Sequence, residues 1–500
     1  MDCNIEEEDG IGKKHQLFLN KLEQYKKDLP SIGPILKFYE KDFKNGLTKA
    51  IAESIFQLNN NAIKDNITFL VMGEPLLIKT NEVRTAIINH FVENEKNLSN
   101  GKVCSICGKT DSPVLDEPHG LVKIPKGQAA GCALISYNEP AFESYNLKGN
   151  LNSSICRDCA RNYIEALKFL LSDGHPVVQK DKQKVYYEYN HRINLSDTTV
   201  VLFWTKHGKA SISPFVISNP PDNLWIKGFF NSIWNGEKKK ISTIDSNMFY
   251  CCTLSSAAAR IAVRDWTSIS LDEYKNNLAE WFRDIEIENR EGEIIYSPLK
   301  LLINATQHDK KTGEKNKADT NSKTRMGSIL WNSAIKGKSH MIPLEVLQYI
   351  LNRIWKGDEF STSRAAVIKL VINRNTNKKM KSTIEETNTS IAYLCGRLFA
   401  IIESMQWKAI GNVNNGVKER FFAAAAIQPA AIFGTLLTKN IPIYQHKIGG
   451  YLAKELNDIM SSISERGRIP LRFSTIEQGE FALGYYFQRN HKTNKETLNK

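Results

Sequence analysis

No apolar run in this 500-residue chain is long enough to cross a bilayer as a helix. The N-terminus, MDCNIEEEDG, is acidic and lacks a hydrophobic core, so it does not read as a secretory signal. Signatures of catalysis are missing too. There is no G-x-S-x-G, Walker A or H-E-x-x-H motif and no acidic nuclease cluster. His207, His308, His340, His446 and His491 are scattered among polar residues rather than grouped. No repeat of fixed period is visible. These absences argue against a membrane helix, a secreted chain, the commoner hydrolases and a solenoid, and the chain is read as a non-enzyme. Cysteine is sparse: nine residues, four of them in two C-x-x-C pairs. That usage suits a reducing cytoplasm and a metal site better than a disulfide framework.

What is present is basic and globular. Lys and Arg number 67 against 54 Asp and Glu, a net charge of +13, with 41% apolar and 9% aromatic residues. The length calls for two or three domains. The charge favours a polyanionic partner, although a solvated basic surface would look the same.

Cys104-Ser-Ile-Cys107 and Cys156-Arg-Asp-Cys159 are the strongest motif. A C-x-x-C knuckle presents two soft thiolates from one tight turn, and two knuckles complete a tetrahedron for a structural zinc. The 48 residues between the pairs exceed a compact ribbon, so an insertion pinned at its base is expected. Four ordinary buried cysteines, or a redox pair, are the competing readings. His119 could compete as a ligand but is read as a surface histidine. Between the knuckles, Lys123 and Lys126 precede Gly127-Gln128-Ala-Ala-Gly131, with Asn138 and Ser144 following. Glycines let backbone approach a phosphate closely, and lysines supply charge, so these residues are candidate contacts to a nucleic-acid backbone. An ordinary turn between two strands explains the glycines equally well.

Periodicity predicts an α+β chain. Residues 15–58 read as helix, and 66–79 as strand, turn and strand. CALISYN and TTVVLFW read as strands, Arg161–Leu171 as a helix, and Met248–Leu254 as a strand. Ser255–Arg264 reads as a turn or short element, and Leu271–Ile285 as an amphipathic helix. Residues 305–327 read as a polar loop. Helices are expected at Leu344–Trp355, Ser363–Asn373, Ile384–Trp407, Lys418–Ala426, Pro429–Leu437, Tyr444–Ser462 and Thr475–Asn490. The expected organisation is therefore a mixed α+β body over 1–300, including a zinc-knuckle and glycine-loop segment at 101–175. A basic loop (301–327), a helical connector (328–376) and an all-helical C-terminal bundle (377–500) follow. Residues 305–340 carry eight Lys or Arg against three acids, and Arg364–Lys381 carries six and no acid. Lys310, Lys311, Lys378, Lys379 and Lys381 are candidate strand contacts, with a solvated helix face as the alternative.

Several blocks follow one another in a recognisable order: GQAAGCALISYNEPAFESY, TTVVLFW, FYCCTLSSAAARIAVRDW, YLCGRLFAIIE, ERFFAAAAIQPAAIFGTLL and EQGEFALGYYFQRN. Together they resemble the large subunit of type I-C CRISPR surveillance (Cascade) complexes, over about residues 14 to 490. The resemblance implies a non-nuclease subunit that binds double-stranded target DNA, recognises the protospacer-adjacent motif and supports R-loop formation. It implies partners as well: a crRNA-containing complex with handle-binding, backbone and small subunits, and a helicase-nuclease. Guide pairing would read the protospacer itself. It further implies a C-terminal region like the small subunit, made separately from an internal start for which Met380 is the candidate. Members usually carry a further N-terminal segment ahead of the part matching GKKHQLFLNKLEQY. Here MDCNIEEEDG stands in its place, so a truncated, mis-started or split product is expected. Many members lack the paired C-x-x-C, which makes zinc a subgroup feature. The alternatives are a stand-alone zinc-dependent nucleic-acid-binding protein and a metal-dependent nuclease.

Overall fold

The computed structural model describes residues 9–39, 68–98, 102–110, 114, 119–179, 184–208, 212–234, 247–307, 320–411, 414–447 and 449–491. The chain divides into two compact units. One comprises Met1–Gly120 and Ser136–Tyr163, the other Leu121–Ile135 and Ile164–Lys500.

In the first unit, α1 (Asp9–Tyr25) and α2 (Asn81–Leu98) contribute to a small core of Leu29, Ile32, Leu36 and Ala86, with Leu22, Tyr25 and Val83 packed against it. The expected strand pair at 66–79 is not formed by its described residues. Glu74 N–H bonds the Val71 carbonyl at 3.0 Å, and Leu77–Lys79 is a 3-10 turn. Pro75 lacks the N–H a ladder needs, no partner strand lies alongside among the described residues, and Leu70 and Met72 stay exposed. The part of the 15–58 helical expectation beyond residue 39 lies outside the described residues.

The second unit holds a six-stranded sheet of order β1-β2-β8-β7-β6-β5. Its strands are β1 (Leu121–Val122), β2 (Cys132–Ala133), β5 (Arg192–Asn194), β6 (Thr199–Thr205), β7 (Met248–Ala257) and β8 (Arg260–Ser270). The chain enters this unit along α3 (Arg157–Ser172), and β3 (Gly174–Gln179) and β4 (Lys184–Tyr189) form a separate hairpin. All neighbours in the main sheet are antiparallel except β2 and β8, joined in parallel at Ala133 and Arg260. Thr198–Trp204 and Met248–Leu254 are strands as their β-branched and apolar content requires. Two expectations need correcting here. Ser255–Arg264 is not a turn or short element: it turns at Ala258 (φ 51) and runs on into β8, an eleven-residue strand. CALISYN contributes only Cys132–Ala133 to a strand.

One sheet face is covered by helix. Short α4 (Phe215–Ser218) and α5 (Asn223–Trp234) lie between β6 and β7 in sequence. On α6 (Leu271–Ile285), Tyr274, Leu278, Trp281, Phe282 and Ile285 recur at helical spacing and are fully buried. The Ser270 hydroxyl accepts from Glu273 N–H at 3.1 Å and caps the helix. Phe249 of β7 stacks on Tyr274 with centroids 4.2 Å apart, and the Trp331 indole N–H reaches Cys251 Sγ at 3.3 Å.

A small pair, β9 (Glu286–Glu288) and β10 (Ile294–Tyr296), precedes a helical remainder. It comprises α7 (Leu299–Ala305), α8 (Thr320–Lys336), α9 (Leu344–Trp355), α10 (Thr362–Asn375), α11 (Ile391–Ile410), α12 (Val417–Ile427), α13 (Pro429–Thr435), α14 (Ile441–Gln445), α15 (Gly450–Arg466) and α16 (Thr475–Asn490). The polar 305–327 loop is shorter than expected, since α8 begins at Thr320. The helix expected from Ile384 starts at Ile391, where Ser390 caps it through Tyr393 N–H at 3.4 Å. α11 and α16 approach so closely that a Cβ on Gly396 would stand 2.0 Å from the Phe481 carbonyl oxygen. Reciprocally, a Cβ on Gly484 would stand 2.1 Å from that of Tyr393. The fold is thus an α+β body followed by a C-terminal helical region, with one continuous core running from β6 and β7 to α16.

Candidate metal centre and nucleic-acid interface

The four knuckle cysteines, all in the first unit, converge. Their sulfurs lie within 4.8 Å of one another, and Cys107 and Cys156 Sγ are 3.9 Å apart. Around Cys104 the chain makes a tight turn: Cys104 N–H bonds the Lys109 carbonyl and Gly108 N–H the Cys104 carbonyl, both at 2.9 Å. Cys156 immediately precedes α3 and Cys159 lies in its first turn. Hydrogen bonds stitch the knuckles together. Ser105 N–H donates to the Ser154 carbonyl at 2.9 Å, the Ser105 hydroxyl to the Ser153 carbonyl at 2.5 Å, and the Ser154 hydroxyl to the Val103 carbonyl at 3.0 Å.

The donor set fits a metal ion. Four sulfurs about 2.3 Å from a tetrahedral centre would sit about 3.8 Å from each other, close to the spacing seen. Burial pushes the Cys104 thiol up, but N–H groups of Cys107, Cys156 and Ile106 outweigh it and bring the thiol down to about 6. Cys156 N–H approaches Cys104 Sγ at 3.3 Å. Cys159 is pushed up to about 12, by burial first and then by its bonds to the other three thiols. Burial also raises Cys156. A bound cation would supply the positive charge that offsets this burial and favours the thiolate form of its ligands.

His119 is not the surface residue expected. It is half-buried, with Nδ1 2.7 Å from the Tyr163 hydroxyl and Nε2 3.0 Å from Asn150 Oδ1. Because Asn150 Nδ2 donates to the Ile155 carbonyl at 2.9 Å, its Oδ1 must accept. Nε2 then carries the proton and Nδ1 accepts from Tyr163. Burial lowers the His119 pKa, which keeps the ring neutral. This buttress holds the residue next to Cys156. It spans His119, Asn150 and Tyr163, a separation at which no local pattern announces it.

The candidate loop residues divide between the units. Lys123, Lys126, Gly127, Gln128 and Gly131 join β1 to β2 in the second unit, whereas Asn138 and Ser144 belong to the first. Lys123, Lys126 and Gln128 are exposed. Gly127 N–H bonds the Ile124 carbonyl and Gly131 N–H the Gln128 carbonyl, both at 3.0 Å, so the loop is two successive turns. A Cβ on Gly127 would meet Cys132 Sγ at 2.6 Å, and Gly131 adopts φ +108. Both glycines are required by packing and turn geometry alone. Asn138 accepts from the Ser136 hydroxyl at 3.1 Å, and Ser144 donates to the Ala141 carbonyl at 3.2 Å.

The basic run Arg364–Lys381 is the main correction, because half of its charges are internal. Arg364, Lys369 and Arg374 are each at least 95% buried. Arg364 donates to the carbonyls of Ala305 and Gln307, both at 3.1 Å, and pairs with Asp358 at 3.5 Å. Lys369 donates to the Arg283 carbonyl at 2.7 Å and the Glu286 carbonyl at 3.1 Å. Arg374 pairs with Asp284 at 2.8 Å. These residues form neither a solvated face nor a phosphate track. Lys378 is half-exposed and pairs with the fully buried Glu480, which the Ser390 hydroxyl also reaches. Lys381 pairs with Glu385 at 3.3 Å, and Lys379 is exposed. Lys310 and Lys311 lie outside the described residues.

Fold and site together define an α+β protein with a helical C-terminal region, bearing a tetracysteine cluster able to hold a metal ion. The chain belongs to the Csd1 family of CRISPR-associated proteins, the family of the Cascade large subunit: the model described as CRISPR-associated protein (Cas_Csd1) matches residues 4–493. Membership implies a CRISPR effector complex with other Cas proteins and nucleic acid. No curated protein matches the sequence. Among the described residues, no helix is long and apolar enough to cross a membrane.

Proposed function

We propose that this chain is the non-enzymatic large subunit of a type I-C effector complex in the cytoplasm. It binds double-stranded target DNA, recognises the protospacer-adjacent motif, supports R-loop formation and recruits the helicase-nuclease in antiviral defence. The observation that carries this reading is a family match running over nearly the whole chain. Its partners are the crRNA, the handle-binding, backbone and small subunits, and the helicase-nuclease. Cys104, Cys107, Cys156 and Cys159 would hold a structural zinc, whose contribution is to cross-link two distant chain segments. Lys123, Lys126 and Gln128 are the exposed side chains offered to DNA by the β1–β2 turn. An internal start at Met380 would supply a separate small subunit; a single full-length band on a blot against a C-terminal tag would exclude it.

The test is reconstitution of the crRNA complex with and without this chain, followed by duplex binding with an intact or a scrambled adjacent motif. Motif-dependent binding should vanish without the chain. Equal affinity and equal motif discrimination in its absence would refute the reading. Reversing the charge of Lys123 and Lys126 should weaken target binding, and unchanged affinity would remove the turn from the interface.

A further inference from the structure

A cleft in the second unit encloses about 1030 Å³. Three lysines and three asparagines line it: Lys126, Lys300 and Lys323, with Asn194, Asn219 and Asn304. They come from five separate parts of the chain, namely the β1–β2 turn, the end of β5, the segment after α4, helix α7 and helix α8. None of the three lysines has an ion pair among the described residues, while Asp197 is the one acid in the lining. Lys126 and Lys300 are exposed and Lys323 is half-buried. Lys126 is moreover held at φ +58, a left-handed conformation unusual for a residue with a side chain. The turn at 194–197 is fixed against α8 by the Thr324 hydroxyl, which donates to Ser196 Oγ at 2.7 Å. Arg192 Nε donates to Asn194 Oδ1 at 2.9 Å, which leaves the amide N–H₂ of Asn194 as a donor.

Resting on the nucleic-acid reading above, we propose that this cleft grips the sugar–phosphate backbone of a duplex. Unmatched ammonium groups attract phosphate, and amides serve both phosphate and sugar oxygens. No aromatic side chain lines the cleft, so it offers no platform for unstacked bases. The contact is therefore independent of sequence, and it extends the turn bearing Lys126 towards Lys300 and Lys323.

The test uses the full chain in its crRNA complex, with Lys300→Ala/Lys323→Ala beside a control, Lys356→Ala/Lys454→Ala, at exposed lysines outside the cleft. Equilibrium binding of a duplex target and of the same single strand is measured across a salt series, with thermal melting to confirm folding. Each phosphate contact contributes about 0.9 to the slope of log K against log salt. The cleft variant should lose roughly two units of slope and on the order of tenfold to sixtyfold in duplex affinity at about 0.1 M salt, equally for all sequences. The control should match the parent. Unchanged duplex slope and affinity overturn the cleft while leaving the large-subunit reading intact. A loss confined to the single strand overturns the duplex assignment. If the complex binds the duplex equally well without this chain, the underlying reading fails and the cleft proposal with it.

Discussion

Around Cys104 and Cys156 the buried apolar cluster extends, among the described residues, to little more than Val114 and the half-buried Cys159. Between α11 and α16, by contrast, Phe399, Phe422, Phe433, Phe481 and Tyr485 meet ring against ring inside one continuous core. The two regions solve the same problem, fixing distant chain segments, with different chemistry. Among its described residues the first buries little apolar surface to offset the ordering of its loops, and its four thiols could be cross-linked by an ion. The second has area to spare, and there the limits are shape and buried charge. Metal loss should therefore be decisive in one region and silent in the other.

That contrast is broken most directly at the thiols. Cys156→Ser, or a strong chelator, should abolish stoichiometric zinc and expose the segments around the two knuckles, residues 103–109 and 149–163, to limited proteolysis. Structural zinc in small domains contributes on the order of 10 kcal/mol, so the local effect is large. The main melting transition, which reports the helical core, should move by no more than a few degrees. Metal-free protein that resists protease as well as the parent would show that the cysteines are ordinary buried residues.

Next in size is the helix contact. Gly396→Ala places a methyl 2.0 Å from a backbone oxygen, and Gly484→Ala one 2.1 Å away. Neither obstacle is a flexible side-chain end, so α11 and α16 must separate. Overpacking of this kind costs about 3 kcal/mol or more. Denaturant midpoints should fall for both variants while zinc content stays stoichiometric, and a midpoint within error of the parent would contradict the close approach.

What the sequence made legible follows the range of each interaction. TTVVLFW, the amphipathic run from Leu271 and the phenylalanine-rich helices declare themselves within a few residues, because burial imposes local periodicity. The two C-x-x-C pairs do so because metal chemistry fixes their spacing. β8 was hidden: RIAVRDWTSIS mixes charge with apolar groups, and only pairing with β7 makes it a strand. The basic run Arg364–Lys381 misled for the same reason, since Asp284 and Glu286 lie some eighty residues upstream. A charge pattern cannot reveal that its partners will arrive from elsewhere, and the amide- and lysine-lined cleft is assembled from segments equally far apart.

Lys369 sharpens the point about buried charge. Burial lowers its pKa to about 8 from 10.5, with Glu286 and Asp284 only partly compensating. Between those values the unfolded chain binds the proton that the folded chain has released, so stability gains from this lysine as pH rises from 8 to 10.5. Below pH 8 both states are protonated and the burial cost is fully present. The gain over the window is up to about 3 kcal/mol. Lys369→Met should remove that slope relative to the parent, measured as urea midpoints near pH 7.5 and pH 10. Parallel pH profiles for the two proteins would mean that Lys369 is not desolvated.

The smallest effects separate two lysines that look alike in sequence. Lys378 neutralises a Glu480 with no solvent exposure, so Lys378→Ala strands a buried carboxylate and should cost about 1 to 3 kcal/mol. Lys381 meets Glu385 at the surface, with 58% of its side chain exposed, and Lys381→Ala should change stability by less than about 0.5 kcal/mol. A double substitution with Glu480→Gln should recover part of the Lys378 loss, because the stranded charge is then gone. Equal costs for the two lysines would mean that Glu480 does not depend on its partner. Lys378 would then be as free to meet a phosphate as its neighbour.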